Sequence, residues 1–465
     1  MANPLSGAEF YSDQMHNLTV PNGSPVLALV SETTTKSNAA LLSGIPQYQQ
    51  WRNAAHGIKA YELEHLDELL VQFESQLKSK GIEVLWAADR EQANQIFLDL
   101  AKKHNVKKIV KSKSMVTEEL ALNHVLEKEG IKSVETDLGE FIIQLAKQRP
   151  THIVIPALHL TAAQIGKLFS EKIGTKYTEN NEELTMQARE YLRQEYLTAD
   201  MGVSGVNFGV ADTGSFVVIE NEGNAGLSTS TPPVHVAIMG IEKLLPSIDY
   251  LPQFLNLLPR NGTGQKLTSY THFFNGPSPG KKMYLILVDC GRTNVLTDPG
   301  SRAALGCMRC GHCMYACPVY RRVGGWAYGW VYPGPIGACL TGHFIGFDKA
   351  GKLPFVSSLC GACSTICPAK VPIPHILVHL RNKAVEEPSN MHSTRQTLLW
   401  SVWSWFNCRN WAYKPFMWGI RTGASLSFLI PRCFHVFEWR GWTTDGRKVP
   451  KPEGGSFKNW FKKQQ

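Results

Sequence analysis

Cys307, Cys310, Cys313 and Cys317, followed by Pro318, are spaced C-x2-C-x2-C-x3-C-P. Thiolates are soft donors, and four of them on one short stretch suit a soft metal centre. The two-residue gaps let one loop curl around a cube and present three sulfurs to three irons. The fourth cysteine, on the turn of helix that follows, points towards a second centre. Bacterial ferredoxins hold [4Fe–4S] clusters in this way. A shorter run stands fifty residues on, with Cys360, Cys363 and Cys367 followed by Pro368.

In a two-cluster arrangement the last cysteine of each run serves the other run's cluster. Cluster 1 then takes Cys307, Cys310, Cys313 and Cys367, and cluster 2 takes Cys317, Cys360 and Cys363. The second cluster is one ligand short. Extending the second run backwards by the first run's spacing lands on Ser357, not on a cysteine. Cys339, in the intervening loop, is the nearest spare thiol and a possible fourth ligand. Three outcomes stay open: Cys339, a non-cysteine ligand, or a three-iron or site-open cluster. Zinc also binds C-x2-C pairs, but the 2-2-3 spacing and the proline closing each run argue against it. Cys290, Cys408 and Cys433 stand alone and read as packing thiols.

The elements that must position these cysteines follow from periodicity. Leu63, Leu66, Leu69, Leu70, Phe73 and Leu77 recur at helical spacing, with Gly81 where a C-terminal cap glycine belongs. Ile82–Trp86 predicts a strand, Asp89 caps a helix running to Lys103, and Val106–Val110 predicts the next strand. A helix from Thr117 to about Glu129 and a buried strand His152–Pro156 follow. Strands alternating with helices predict an α/β domain with a largely parallel sheet. Val206–Ala211, Ser215–Glu220, Val234–Met239 and Met283–Asp289 are further strand candidates, and 291–306 reads as a polar linker. The expected divisions are a loosely organised leader (1–60), the α/β domain (61–294), a helical two-cluster ferredoxin-like domain (295–390) and a basic aromatic tail (391–465).

At 465 residues the chain exceeds one ordinary core. Seven of its eleven cysteines lie in the two runs, which is metal-site rather than disulfide spacing. No signal peptide and no eighteen-residue apolar stretch is visible, so a cytoplasmic location without a membrane span is expected. The net charge of +9 belongs to the tail: residues 391–465 carry twelve Lys and Arg against three Asp and Glu, leaving 36 of each in the first 390. The tail also holds eight of the twelve tryptophans, Trp400, Trp403, Trp405, Trp411, Trp418, Trp439, Trp442 and Trp460. Leu398, Leu399, Val402, Trp403, Trp405 and Phe406 form an apolar helical surface there. A cap with a partner interface is the first reading, and peripheral contact with the inner membrane surface the second. Nucleic acid is not expected.

The segments CMRCGHCMYACPVYRRVGGWAYGWVYPGPIGA (307–338) and SSLCGACSTICPAKVPI (357–373) resemble the lactate-utilisation protein B family. KSKSMVTEELALN (111–123), ETDLGEFIIQLA (135–146) and ADTGSFVVIENEGNAGL (211–227) resemble that family's lactate-utilisation (LUD) domain, itself similar to sugar-phosphate isomerase-like (NagB/RpiA) folds. The resemblance covers roughly residues 60–465. It implies electron transport in oxidation of L-lactate to pyruvate, two [4Fe–4S] clusters held by the seven cysteines named above, and a multi-protein complex. The partners it implies are a second iron–sulfur, cysteine-rich protein, a second LUD protein and a redox partner. Two departures stand out: Gly226 replaces an arginine of the family's NEGNAR-L motif, and Leu160 follows His159 where a lysine is usual.

Two other segments have the composition of anion-binding turns. Asp212, Thr213, Gly214, Asn221, Glu222, Gly223 and Asn224 could expose backbone N–H groups to a phosphate or carboxylate, although tight turns between strands need the same residues. Lys111, Ser112, Lys113 and Ser114 could line the same pocket, although a solvated basic loop would also read this way. A ligand near His159 and Asp212 would favour an enzyme acting on a small anionic or phosphorylated substrate. No G-x-G-x-x-G follows a strand, no Walker A motif is present, and no catalytic residue is assigned.

Overall fold

The computed structural model describes residues 23–386, 394–426 and 457–464; Cys433, Trp439 and Trp442 lie outside these, as do residues 1–22. The chain divides into two units, Met1–Ser389 and Asn390–Gln465.

The first unit is built on a six-stranded sheet of order β1-β10-β7-β4-β2-β3, parallel throughout. Its strands are β1 (Glu83–Ala87), β2 (Lys108–Lys111), β3 (Lys132–Glu135), β4 (Met201–Gly205), β7 (Val234–Gly240) and β10 (Lys282–Val288). A second sheet of order β8-β5-β6-β9 joins β5 (Phe208–Val210), β6 (Ser215–Glu220), β8 (Leu244–Leu245) and β9 (Tyr270–Phe274). Sequences such as VHVAIMG in β7 make central strands because both faces are covered. Along β7 and β10 the side chains alternate. Val234, Val236, Ile238, Tyr284, Ile286 and Val288 pack with Phe97 and Leu100 of the Arg90–Lys103 helix on one face. Ala237, Met239, Leu285 and Leu287 pack with Leu69, Phe73 and Leu77 of the Leu66–Ser79 helix on the other. Asp89 caps the first of these helices by accepting from Gln92 N at 2.8 Å, and Gly81 takes φ +80° just past the end of the second.

From β2 the chain crosses outward to β3, whereas from β4 it crosses the other way to β7. β2 and β4 are neighbours, so a crevice opens beyond their carboxyl ends, where α/β sheets commonly bind ligands.

Four expectations need correction. Residues 23–60 are not loosely organised: they form most of two helices, Gly23–Ser43 and Tyr48–Glu64, whose Leu27, Ala55 and Leu63 share a core with Met308, Met314 and Leu340 of the cysteine-bearing region. His152–Pro156 is not a strand. His152 Nδ1 accepts from Val154 N at 3.0 Å and Ile155 N at 3.1 Å, using the donors a β-ladder would need. The helix expected from Thr117 is split into Met115–Glu119 and Leu122–Lys128, because Ala121 turns left-handed at φ +50°. The stretch 291–306 is packed rather than a polar linker. Its Arg292 is fully buried, forked onto Glu119 at 2.8 and 3.0 Å and ion-paired with Glu242.

In the second unit the Thr394–Asn407 and Asn410–Leu426 helices pack together, with Phe406 stacked on Phe416 at 4.7 Å and Trp405 edge-on to Trp411 at 5.5 Å. Among the described residues no helix is long and apolar enough to cross a membrane.

Candidate iron–sulfur centre and adjoining cavity

The two cysteine runs have the same backbone. Arg309 and Gly311 flank Cys310 in the left-handed region, at φ +62° and +80°. Leu359 and Gly361 flank Cys360 in the same way, at +55° and +82°. A short helix follows each, His312–Ala316 and Ala362–Thr365. A left-handed residue on each side of a cysteine turns consecutive amides towards one centre. The likeness extends to the missing ligand. Cys307 Sγ accepts from Arg309 N at 3.4 Å, and Ser357 Oγ accepts from Leu359 N at 3.2 Å. Ser357 therefore stands in the second run where Cys307 stands in the first.

Electrostatics groups the thiols. Burial pushes the Cys310 thiol up, and the neighbouring Cys307 and Cys367 push it further. Burial also raises Cys313, with Cys307, Cys310 and Cys367 its strongest thiol neighbours. Cys363 is pushed up to about 12 by burial, then by Cys317 and Cys360. Cys317 is raised by burial and by Cys360. Thiols crowded so that each opposes its neighbours' ionisation suit a cationic iron core that takes them as thiolates. Around one tetrahedral zinc, four sulfurs would lie about 3.8 Å apart at the usual Zn–S length of about 2.3 Å. Among the described residues no three His, Cys, Asp or Glu side chains are grouped to hold a single metal ion. Seven thiols in two runs, each closed by a proline, are a donor set suited to iron–sulfur clusters. Cys339 is fully buried within the Gly334–Ile345 helix, its Sγ 4.0 Å from Ile373 O. Its thiol neighbours are Cys363 and Cys307, one from each run.

The second run is fastened by the helix that the sequence had not revealed. Arg52 donates to Cys367 O from Nε at 2.9 Å and from Nη2 at 2.8 Å, and to Thr365 O at 2.8 Å. His56 Nδ1 lies 3.1 Å from Ala369 O. The first run lies against aromatic rings: His152 stacks on Tyr315 at 4.6 Å, and the Tyr320 hydroxyl donates to Thr151 O at 2.8 Å. These contacts explain why 151–156 is a loop, since it packs against the cysteine helix.

A cavity of about 430 Å³ lies between the sheet and the first run. Ser112, Lys113 and Ser114 line it from the end of β2, Gly205 and Asn207 from the end of β4, and Glu220, Asn221 and Glu222 from the end of β6. Lys243, Arg309 and Cys310 close the side nearest the cysteines. The KSKS segment is thus not a solvated loop. Lys111 is buried beneath the cavity, ion-paired with Glu135 at 2.7 Å and Glu118 at 3.0 Å. Asn221, Glu222 and Asn224 do reach the cavity, but Asp212 does not border it; its carboxylate accepts from Ile248 N at 3.2 Å. His159 does not border it either, being hydrogen-bonded to Gln148 at 2.8 Å. Gly226 donates its N–H to Glu220 Oε1 at 2.8 Å, and the same oxygen is 2.6 Å from His272 Nε2. A Cβ at Gly226 would meet that imidazole at 2.8 Å, so His272 occupies the space beside the missing side chain.

Arg52, Lys243 and Arg309 were not singled out in the sequence. Arg309 lies inside the cysteine motif and could have been found there; Lys243 and Arg52 belong to no motif.

Comparison with known proteins fits this geometry. The LUD domain family matches residues 70–294, and the 4Fe-4S dicluster domain matches residues 303–371. Lactate utilization protein B of Bacillus pumilus is 39% identical over 431 residues, 90% of this chain and 89% of that protein. Its counterpart in Geobacillus sp. (strain WCH70) is 37% identical across 100% of this chain and 99% of that protein. The uncharacterized electron transport protein YkgF of Escherichia coli is 33% identical across 100% of this chain and 98% of that protein. With a LUD domain joined to a 4Fe-4S dicluster domain, and end-to-end similarity to these proteins, the chain belongs to the lactate utilization protein B family.

Proposed function

We propose that this chain carries electrons in the oxidation of L-lactate to pyruvate, as one subunit of a multi-protein assembly. Cys307, Cys310, Cys313 and Cys367 hold one [4Fe–4S] cluster, and Cys317, Cys360 and Cys363 hold the second. The spacing of the two runs carries this reading. Cys307 beside Cys367, and Cys360 beside Cys317, each raise the neighbouring thiol across the two runs, which supports it. Ser357 is the favoured fourth position at the second cluster, because its Oγ repeats the hydrogen bond of Cys307 Sγ. Cys339 is the alternative, and its burial in a packed helix counts against it.

Bound clusters supply one-electron transfer, whereas removing hydrogen from the α-carbon of lactate needs a two-electron acceptor. The chain's own residues hold and shield. Arg52 pins the turn that presents Cys367, and the N–H groups of Arg309, Tyr320 and Val371 point at the sulfurs of Cys307, Cys317 and Cys367 at 3.4, 3.5 and 3.4 Å. Hydrogen bonds to cluster sulfurs raise the reduction potential. Tyr315, Tyr320 and Tyr328 are almost fully buried and keep water from the first run.

The two-electron step therefore belongs with partners, by resemblance a second LUD protein and a cysteine-rich iron–sulfur protein, in a cytoplasmic setting. The basic aromatic tail is a candidate surface for them or for the inner membrane. Anaerobically purified chain, mixed with L-lactate, should keep its visible cluster absorbance unchanged. Adding the partner proteins should bleach it. Bleaching by lactate with the chain alone would instead make this subunit the dehydrogenase.

A further inference from the structure

We propose that the cavity beside Cys310 binds an organic anion larger than lactate, a carboxylate or phosphate ester whose charged group is held by Arg309 and Lys243. The inference goes beyond electron transfer and takes from the functional reading only the presence of a cluster at Cys310.

Four observations carry it. The cavity opens at the carboxyl ends of β2 and β4, where the chain departs in opposite directions and α/β sheets commonly bind ligands. Its volume of about 430 Å³ falls within the range of ~300–1,000 Å³ found for cofactor and drug-sized ligands. A three-carbon acid would leave most of it to water, and the apolar wall of Val206, Val218, Leu258 and Met308 calls for an organic body.

The third observation is the most specific. The Arg309 side chain is only 8% exposed, yet its Nε and Nη1 have no hydrogen-bond partner. Nη2 reaches Glu242 Oε1 only at 3.4 Å, and that carboxylate is already ion-paired with Arg292. Buried guanidinium donors are rarely left unpaired, because the lost hydration is not replaced. The fourth observation is Lys243, whose ammonium lines the same cavity. Among the described residues no hydrogen bond or ion pair holds it. Asp137, Glu220, Glu222 and Lys113 also line the cavity, but Arg309 and Lys243 are the cations there with donors left over. On a cavity with an apolar wall they make a site for a carboxylate or phosphate.

The competing role for these cations is to neutralise the charge of a cluster at Cys307 and Cys310. Calorimetric titration of the anaerobic holoprotein separates the two. The probes are citrate, 6-phosphogluconate and flavin mononucleotide, with L-lactate and inorganic phosphate as small-anion comparators. At least one larger anion should bind at one site per chain, more tightly than both comparators. Lys243→Met should weaken that binding at least about tenfold, the loss of one charge-assisted hydrogen bond, while Lys243→Arg retains it. Thr268→Trp, at the cavity's edge, should block binding and covers the case in which Lys243→Met does not fold.

No binding by any larger anion, equal binding by the comparators, or unchanged binding in Lys243→Met would overturn the proposal. So would a Lys243→Met variant whose only change is a lowered cluster potential. Cluster content, read separately by EPR on the same samples, reports on the functional reading and not on this one.

Discussion

The two cysteine runs share a backbone and differ in their surroundings. Both turn left-handed on either side of the middle cysteine and continue into a short helix. Around the first run, Tyr315, Tyr320 and Tyr328 are at most 1% exposed, and Cys310 looks onto the cavity at the edge of the sheet. In the second, Cys360 is exposed and Phe355 nearby is 45% exposed. The first run has all four cysteines; the second has Ser357 in the leading position. One run thus looks onto the cavity beside the sheet, and the other is more exposed, with a serine in the place of Cys307. Under the proposed electron-transfer role, the exposed second half is the side a partner protein would approach.

The largest expected effect tests whether the halves are interlocked. Cys367→Ala, in the second run, should remove the same EPR signal as Cys313→Ala in the first. Cys317→Ala should match Cys363→Ala. Each variant should lose about half the iron, that is about four atoms per chain for one [4Fe–4S] cluster. If Cys367→Ala instead matches Cys363→Ala, the runs are independent and the comparison fails.

That pairing rests on spacing, which is the most legible feature of the sequence. Four of the six strands of the main sheet were legible for a related reason, whereas β3 and β4 were not read. Runs such as VHVAIMG and MYLILV are buried on both faces, so their apolar character is continuous. The same signal misled at His152–Pro156, where an apolar run is buried by tyrosines of the cysteine region rather than by a sheet. The Gly23–Ser43 helix escaped notice because polar residues occupy its contact face; Ser31 and Asn38 are fully buried, and Asn38 donates to Asn261 O at 2.9 Å. Arg292 read as part of a polar linker because its partners, Glu119 and Glu242, lie far away in sequence. Lys243 is a single lysine after β7, and only the fold brings it to Arg309.

A smaller effect concerns the weak corner of the second cluster. Ferricyanide takes one electron from a [4Fe–4S]2+ cluster; the resulting 3+ state releases Fe2+ from a poorly held corner and leaves [3Fe–4S]+. The wild-type chain should develop the three-iron EPR signal on such treatment, and Ser357→Cys should suppress it. A signal equally strong in both proteins would remove Ser357 from the ligand set. The smallest effect is expected from Cys339→Ala. Iron content should not change, and the small cavity left in a packed helix should cost about 1–2 kcal/mol in denaturant unfolding. Loss of iron from this variant would restore Cys339 as the fourth ligand.

Iron and acid-labile sulfide, quantified per chain on anaerobically purified protein, test the central claim most directly. Two interlocked four-iron clusters predict about eight of each, or about seven irons where the Ser357 corner has been lost. Zinc in place of iron, or iron without sulfide, would contradict the account.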